Sequence, residues 1–257
     1  MMKPSIYSRI ADALDYTGEV LILLAKTVYW CKSAFKNLKP IAKQMLEMGV
    51  YTLPITSLMS IFTGMVLALQ TGTELSKYHI EHLIGSIVSA SMCREMGPVL
   101  TGLIVAGRVG ASMTAELGTM QVSEEIDALK TLAINPIRYL VMPRFLACII
   151  MLPILVIYSD CVGMAGGFIV SKFQIGVDTS TYLDSIKNFL TIKDVYSGLV
   201  KAFVFGIVVS IISCYQGFRT RGGAEGVGKS TTASVVISFL LIIVFDYFLT
   251  RMFFQKS

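Results

Sequence analysis

The sequence predicts an all-α integral membrane protein with about five transmembrane helices. An N-terminal amphipathic helix lies at the interface as an elbow, and a short docking helix faces the cytoplasm. Three observations predict this. Hydrophobic residues make up 54% of the 257 and charged residues 15%, against about 25% charged in an ordinary soluble domain. Five segments are long and apolar enough to cross a bilayer, which takes ~20 residues of helix. Between the second and third of them, Gly107 to Arg144 forms a charged, helix-forming insert.

The chain divides into residues 1–47, the N-terminal amphipathic region, and residues 48–257, the membrane domain, with the insert at about 108–144. The apolar run in Glu19 to Cys31 is too short to span, and Lys26, Lys32, Lys36, Lys39 and Lys43 accompany it. Such a helix suits the headgroup layer, where lysines meet anionic lipid; the plainer reading is a marginal sixth span. Asp12, Asp15 and Glu19 stand where a cleaved signal would be basic, so a signal peptide is not expected. The five spans are then Met48 to Thr73, Leu83 to Gly107, Phe145 to Ser171, Ala202 to Phe218 and Ser230 to Thr250.

Lys and Arg counts set the orientation. With the N-terminus inside, fourteen of the 22 fall on the cytoplasmic side and seven outside, Lys201 among the latter, while Arg94 lies within the membrane. The insert is therefore expected in the cytoplasm and the C-terminus outside. The net charge of +5 then concerns lipid rather than nucleic acid. Five scattered cysteines and two histidines, His79 and His82, show no metal-ligand spacing, so no metal or other cofactor is expected.

Within the insert, Ser123 reads as a helix N-cap, and Glu124 and Glu125 sit where a helix N-terminus favours negative charge. Asn135-Pro136 reads as the stop. Ile126, Leu129 and Ala133 share one face, an apolar stripe free to dock, with Asp127 beside it.

Polar groups inside the spans point to a site. Arg94 and Glu95 fall in the middle of the second segment, before Gly97-Pro98, where a kink is expected. A central charge costs about 2.5–3.5 kcal/mol on insertion scales, so such groups face protein or a wet cavity. The functional reading is a substrate cavity, with Gln70 a weaker candidate for it; the plainer reading is an ion pair with another span. Asp246 reads as solvated near the outer interface. Gly163 and Gly167 form a G-x-x-x-G pair of the kind that lets helices approach closely.

Gly223 to Ser230, GAEGVGKS, matches the phosphate-loop pattern letter for letter. Its context denies the match. A phosphate loop follows a buried strand, whereas this one joins two apolar spans, so a glycine-rich turn in which Ser230 or Thr231 caps the last helix is expected instead.

Taken together, these residues resemble a known family. The run CREMGPVLTGLIVAGRVGASMTAELGTM, continued by QVSEEIDALKTLAINPIRYLVMPRFLA and later by GFRTRGGAEGVGKSTTASVV, resembles the MlaE/YrbE permeases of ABC transporters. The likeness runs from about Gly64 to Thr250 and includes GMVLALQ. It implies a homodimer in the bacterial inner membrane, with a cytoplasmic ABC ATPase that binds the ATP and magnesium. It further implies a periplasmic MCE-domain hexamer and a small STAS-domain accessory subunit. The substrate implied is a phospholipid or related lipid moved between inner and outer membranes. In the family's pattern the segment Ser123–Ala133 is the coupling helix, which brings Ser123, Glu124, Glu125, Ile126, Asp127 and Leu129 to the ATPase; Glu125 departs from the glutamine expected there. Arg94 and Glu95 would border the lipid cavity. No catalytic residue is expected in this chain.

Two other classes compete. A self-contained secondary transporter would use Arg94, Glu95 and Asp246 as proton-linked groups, but such proteins usually carry repeated halves and none is visible. A membrane lipid enzyme would need His, Asp or Glu clustered at one interface.

Overall fold

A computed structural model describes residues 6–255, apart from the side chains of residues 6–13, 35 and 36. The first five residues and the side chains of Arg9, Asp12 and Lys36 thus lie outside the described part. Among the described residues there is no strand, as a lipid-exposed chain requires, since a helix satisfies its own backbone polar groups.

Five helices are long and apolar enough to cross a membrane: span one Leu38–Ser76, span two Glu81–Val122, span three Ile137–Ile175, span four Ile192–Phe218 and span five Gly223–Phe254. All five expected spans are present, and each is longer than its apolar run. The amphipathic stretch Leu38–Met48 continues through one tight turn, Val50–Thr52, into span one. Span two runs on past Gly107 to Val122, and span three begins at Ile137. The forty-residue insert therefore shrinks to residues 123–136, and its flanks are helix that projects beyond the apolar layer. Span five begins at Gly223, seven residues earlier than expected. GAEGVGKS is thus the opening two turns of a helix rather than a turn before one, and Thr231 Oγ1 bonds back to the Val227 carbonyl at 2.7 Å inside it. Gly222, at φ +90°, supplies the left-handed residue that turns the chain into that helix.

The N-terminal helix, Ile6–Trp30, is not among the five. One side of it packs on the body. Leu23 and Thr27 are buried, the Tyr16 ring meets Tyr215 edge-on at 4.8 Å, and Glu19 Oε2 accepts the Tyr215 hydroxyl at 2.6 Å. Its opposite side exposes Leu14, Leu21, Ile22, Val28 and Tyr29, an apolar stripe with Lys26 and Lys32 close by, as expected of a helix lying in an interface.

Spans one and three lie against each other through small residues. The buried positions of span one are Thr56, Ser60, Gly64, Ala68 and Gly72, one per turn. A Cβ on Gly64 would come within 1.8 Å of the Gly163 carbonyl oxygen, and one on Gly166 within 2.3 Å of the Ile61 oxygen. Where lipid supplies no hydrophobic drive between helices, such close approach is what holds them. Ser60 and Ser159 share a hydrogen bond at 2.7 Å across the same seam. Both members of the G-x-x-x-G pair face a span-one carbonyl, Gly163 that of Ser60 and Gly167 that of Gly64, with Met92 against the first and Tyr182 and Val88 against the second.

Gly64→Ala forces a methyl into a backbone atom that cannot move aside, so overpacking of about 1–3 kcal/mol or more is expected. Gly18→Ala, on the N-terminal helix with open space around it, serves as the control. Thermal unfolding of the full chain in detergent should show a clear drop for the first and none for the second; equal midpoints would refute the seam.

Candidate functional site

Arg94 and Glu95 sit on a wide π turn, Met92–Met96, directly before Gly97-Pro98. Proline lacks a donor and crowds the preceding turn, and the wider turn absorbs the mismatch where a sharp kink was expected. Such turns aim side chains at angles a regular helix does not offer. The two side chains go to different partners, as their adjacency on a helix demands.

Arg94 Nε donates to Asp194 Oδ1 at 2.7 Å. Asp194 is the third residue of span four, where Thr191 and Asp194 form a capping box. Its second oxygen accepts from the Thr191 amide at 3.0 Å and the Thr191 hydroxyl at 2.8 Å. The Arg94 guanidinium also stacks 4.9 Å from the Phe254 ring at the end of span five. It keeps 40% of its side chain exposed, while Asp194 keeps 1%.

Two turns deeper, Lys201 of span four is fully buried. Its Nζ donates to the Arg94 carbonyl at 2.8 Å and Glu95 Oε2 at 2.7 Å, and it pairs with Asp246 Oδ1 of span five at 2.8 Å. The other Glu95 oxygen accepts from Thr250 at 3.0 Å. Two cations and three carboxylates from spans two, four and five thus form one cluster, whose most accessible member is Arg94, followed by Glu95 at 33%.

Sequence reasoning placed these groups only in part. Glu95 is engaged at both oxygens, so the ion-pair reading describes it. Gln70 lies on the exposed side of span one and makes no bond to Arg94 or Glu95. Asp246 is not solvated at an interface; it pairs with Lys201. Lys201 and Asp194 were missed because span four was begun at Ala202, which left both outside the membrane. The signal was the T-x-x-D capping pattern at Thr191, which starts the helix ten residues sooner and puts Asp194 and Lys201 on one side of it.

The insert shows a second arrangement. Its helix is Glu125–Thr131, preceded by Glu124 in a left-handed conformation at φ +59°. Ser123 ends span two's helix instead of capping the next, and its hydroxyl bonds the Thr119 carbonyl and Glu125 Oε1, both at 2.9 Å. Asn135 caps span three: its Oδ1 accepts from the Ile137 amide at 3.0 Å, so Asn135-Pro136 opens a helix rather than stopping one. The stripe expected to be free is turned inward. Ile126 is 2% exposed and belongs to a buried cluster with Leu23, Leu117, Leu140, Phe145, Ile211 and Tyr215, against which half-buried Leu129 also packs. Ala133 has left the helix at φ +58° and is exposed. What faces outward is Glu124, Glu125, Asp127, the Asp127–Lys130 pair at 2.7 Å and Leu132, which is 70% exposed.

Substitutions at the buried cluster should rank by burial. Lys201→Met strands Glu95 and Asp246 without their cation, a loss of about 3–5 kcal/mol for a buried pair broken from one side. Arg94→Ala removes a half-exposed group and leaves Asp194 its two Thr191 bonds, so it should cost less. The order of unfolding midpoints in detergent checks this, and the reverse order would contradict it.

The sequence matches the family described as permease MlaE over residues 41–252. It is 49% identical to a probable ABC transporter permease protein of Rickettsia bellii over 215 residues, 84% of this chain and 83% of that protein. It is 40% identical to a probable ABC transporter permease protein of Synechocystis over 251 residues, 98% of this chain and 93% of the relative. It is 37% identical to the chloroplastic protein trigalactosyldiacylglycerol 1 of Arabidopsis thaliana over 241 residues, 93% of this chain and 67% of that protein.

Proposed function

The chain belongs to the MlaE permease family, and from that premise we propose that it is the membrane subunit of an ATP-driven transporter of phospholipids or related lipids. The carrying observation is the distribution of buried surface. Only 17% of span five's apolar window and 28% of span one's are buried, against 50% to 61% for spans two, three and four. A solute channel within one chain would enclose its spans. Span five, left open beside a charged cluster, suits a lipid whose tails stay in apolar surroundings while its headgroup meets Arg94. The Arabidopsis relative bears the name of a glycerolipid, which agrees with this class. A second copy covering part of span five would make the homodimer.

In this reading the chain lies in a bacterial inner membrane, N-terminus inside and C-terminus in the periplasm. The ATPase docks at the insert, an MCE-domain hexamer stands on the far side and a STAS-domain subunit assists the ATPase. Names of relatives as ABC transporter permeases support the ATPase partner. ATP and magnesium belong to that partner.

Because Ile126 and Leu129 are held by the body, the docking surface is the outward edge, Glu125, Asp127 and Leu132. Leu132→Glu or Asp127→Arg should release the ATPase while leaving the fold intact, since a charge buried unpaired in a groove costs about 3–5 kcal/mol. Ile126→Glu should lower the amount of folded protein instead. Co-purification of the ATPase reads the first effect and membrane abundance the second; full ATPase retention by both outward variants would remove the docking assignment.

Arg94, with an exposed guanidinium able to hold phosphate in a bidentate fork, is the headgroup contact. Photo-crosslinking from position 94 should trap more lipid than the same probe at Val236 or Leu240, two exposed positions on span five. Position 95 should trap little, because Glu95 is occupied by Lys201 and Thr250. Equal trapping at 94 and the controls in an intact complex would count against a cavity there.

A further inference from the structure

Arg108 and Glu116, both in the AGRVGASMTAELG run, take no part in the cluster around Lys201. With Ser112 they lie four residues apart along the projecting end of span two, on one side of the helix, and they line a cavity of about 290 Å³. Its other wall is the start of span one: Gln44, Glu47, Met48 and Tyr51. The volume is just under the ~300–1,000 Å³ of small-molecule sites, room for a headgroup but not for a whole lipid.

The cavity is built on a buried anchor. Arg108 Nη1 donates to the Thr52 hydroxyl at 2.7 Å and, at 3.4 Å, to the Glu47 carbonyl. Thr52 is fully buried, and its own hydroxyl bonds the Met48 carbonyl, so the guanidinium is fixed by one edge while its remaining donors are unused. Arg108 has no carboxylate within ion-pairing distance among the described residues, although two line the same cavity. Glu47 holds a loose 3.9 Å contact with exposed Lys43 and accepts a long 3.5 Å bond from Gln44 Nε2 on the same wall. Glu116 gives one oxygen to Arg144 at 2.7 Å and keeps the other. Opposite charges that share a cavity without pairing are complementary to a ligand that carries both.

Position supplies the rest. Arg108 directly follows the apolar run that ends at Gly107, which puts the cavity at the boundary of the apolar layer on the insert side. Tyr51 belongs to the cavity and also begins the exposed apolar stripe of span one, Ile55, Leu58, Phe62, Val66 and Leu69. We propose that this cavity binds the headgroup of a zwitterionic phospholipid. Its phosphate sits on Arg108, its ammonium lies between Glu47, Glu116 and the Tyr51 ring, and its acyl chains lie along that stripe. The site is separate from the cluster at Arg94 and stands whether or not the chain transports lipid.

The test uses the full chain in vesicles of phosphatidylethanolamine and phosphatidylglycerol, with a photoreactive phenylalanine analogue in place of exposed Tyr51. Labelled phosphatidylethanolamine should be trapped in preference to phosphatidylglycerol, which has the phosphate but no ammonium. Arg108→Ala should reduce trapping about tenfold, the size expected for one charged hydrogen-bonding contact. Glu47→Gln should bring the two lipids toward parity. Ser112→Trp, which fills the cavity from an exposed residue without touching the Thr52 anchor, should abolish trapping even if Arg108→Ala folds poorly. Trapping unchanged in both Arg108→Ala and Ser112→Trp would overturn the proposal. So would displacement of the lipid by soluble phosphate, which would mark a site for a free anion. Crosslinks to a second copy of the chain in place of lipid would likewise overturn it, marking the face as an interface between copies.

Discussion

Lys201 is the constraint on which the arrangement of spans two, four and five rests. An ammonium removed from water must be surrounded by oxygen, or it loses several kcal/mol. Here three oxygens surround it, one from the backbone of Arg94, one from Glu95 and one from Asp246. That requirement fixes which side of span two faces span four and how far span five slides along both. It also explains why Arg94 turns away from Glu95. With its carbonyl held at Lys201, the long arginine side chain reaches back toward the start of span four, where Asp194 stands about 10 Å nearer the helix end at 1.5 Å per residue. A side chain that extends toward the membrane boundary with its charge still partly wet behaves as arginine does in bilayers.

The other half of the body is held without charge. Spans one and three meet through glycine, serine and alanine, so their contact depends on backbone proximity and tolerates almost no added volume. The contrast follows from what each seam must do. A charge-bonded seam is specific and can rearrange when a partner changes, whereas a small-residue seam is rigid as long as the residues stay small. Spans two, three and four form the enclosed core between these two kinds of contact, and spans one and five are left at its margin.

Much of this was legible in the sequence. Spans are written in runs of apolar residues whose minimum length the bilayer sets, and the insert is written in charges that lipid would not accept. The run lengths failed at the ends, because helices in water-facing extensions need no apolar residues. Span two therefore continues through Arg108 and Glu116, and span four begins before Lys201. Periodicity gave the right face of the insert helix but the wrong environment for it: Ile126 is apolar because the protein's own body covers it, and an apolar stripe alone does not say which surface it meets. The phosphate-loop pattern lies within helix from Gly223 onward, continuous with an apolar span and preceded by a helix rather than a strand.

The covering of Ile126 changes what the insert can do. A docking helix on a flexible tether would absorb a push from a partner in the tether. Ile126 of this helix is buried instead in the apolar cluster that also holds Leu117 of span two, Phe145 of span three and Ile211 and Tyr215 of span four. Just beyond it, Thr114 of span two bonds the Ser213 carbonyl at 3.0 Å, and Ser234 of span five bonds the Ser213 hydroxyl at 3.2 Å. Close-packed interiors transmit strain because they have no free volume in which to lose it. A displacement at Ile126 is therefore delivered to the spans themselves. Span four belongs to that cluster at Ile211 and continues uninterrupted to Lys201, ten residues and about 15 Å away. One helix, span four, thus contributes both to the cluster that covers Ile126 and to the buried charge at Lys201.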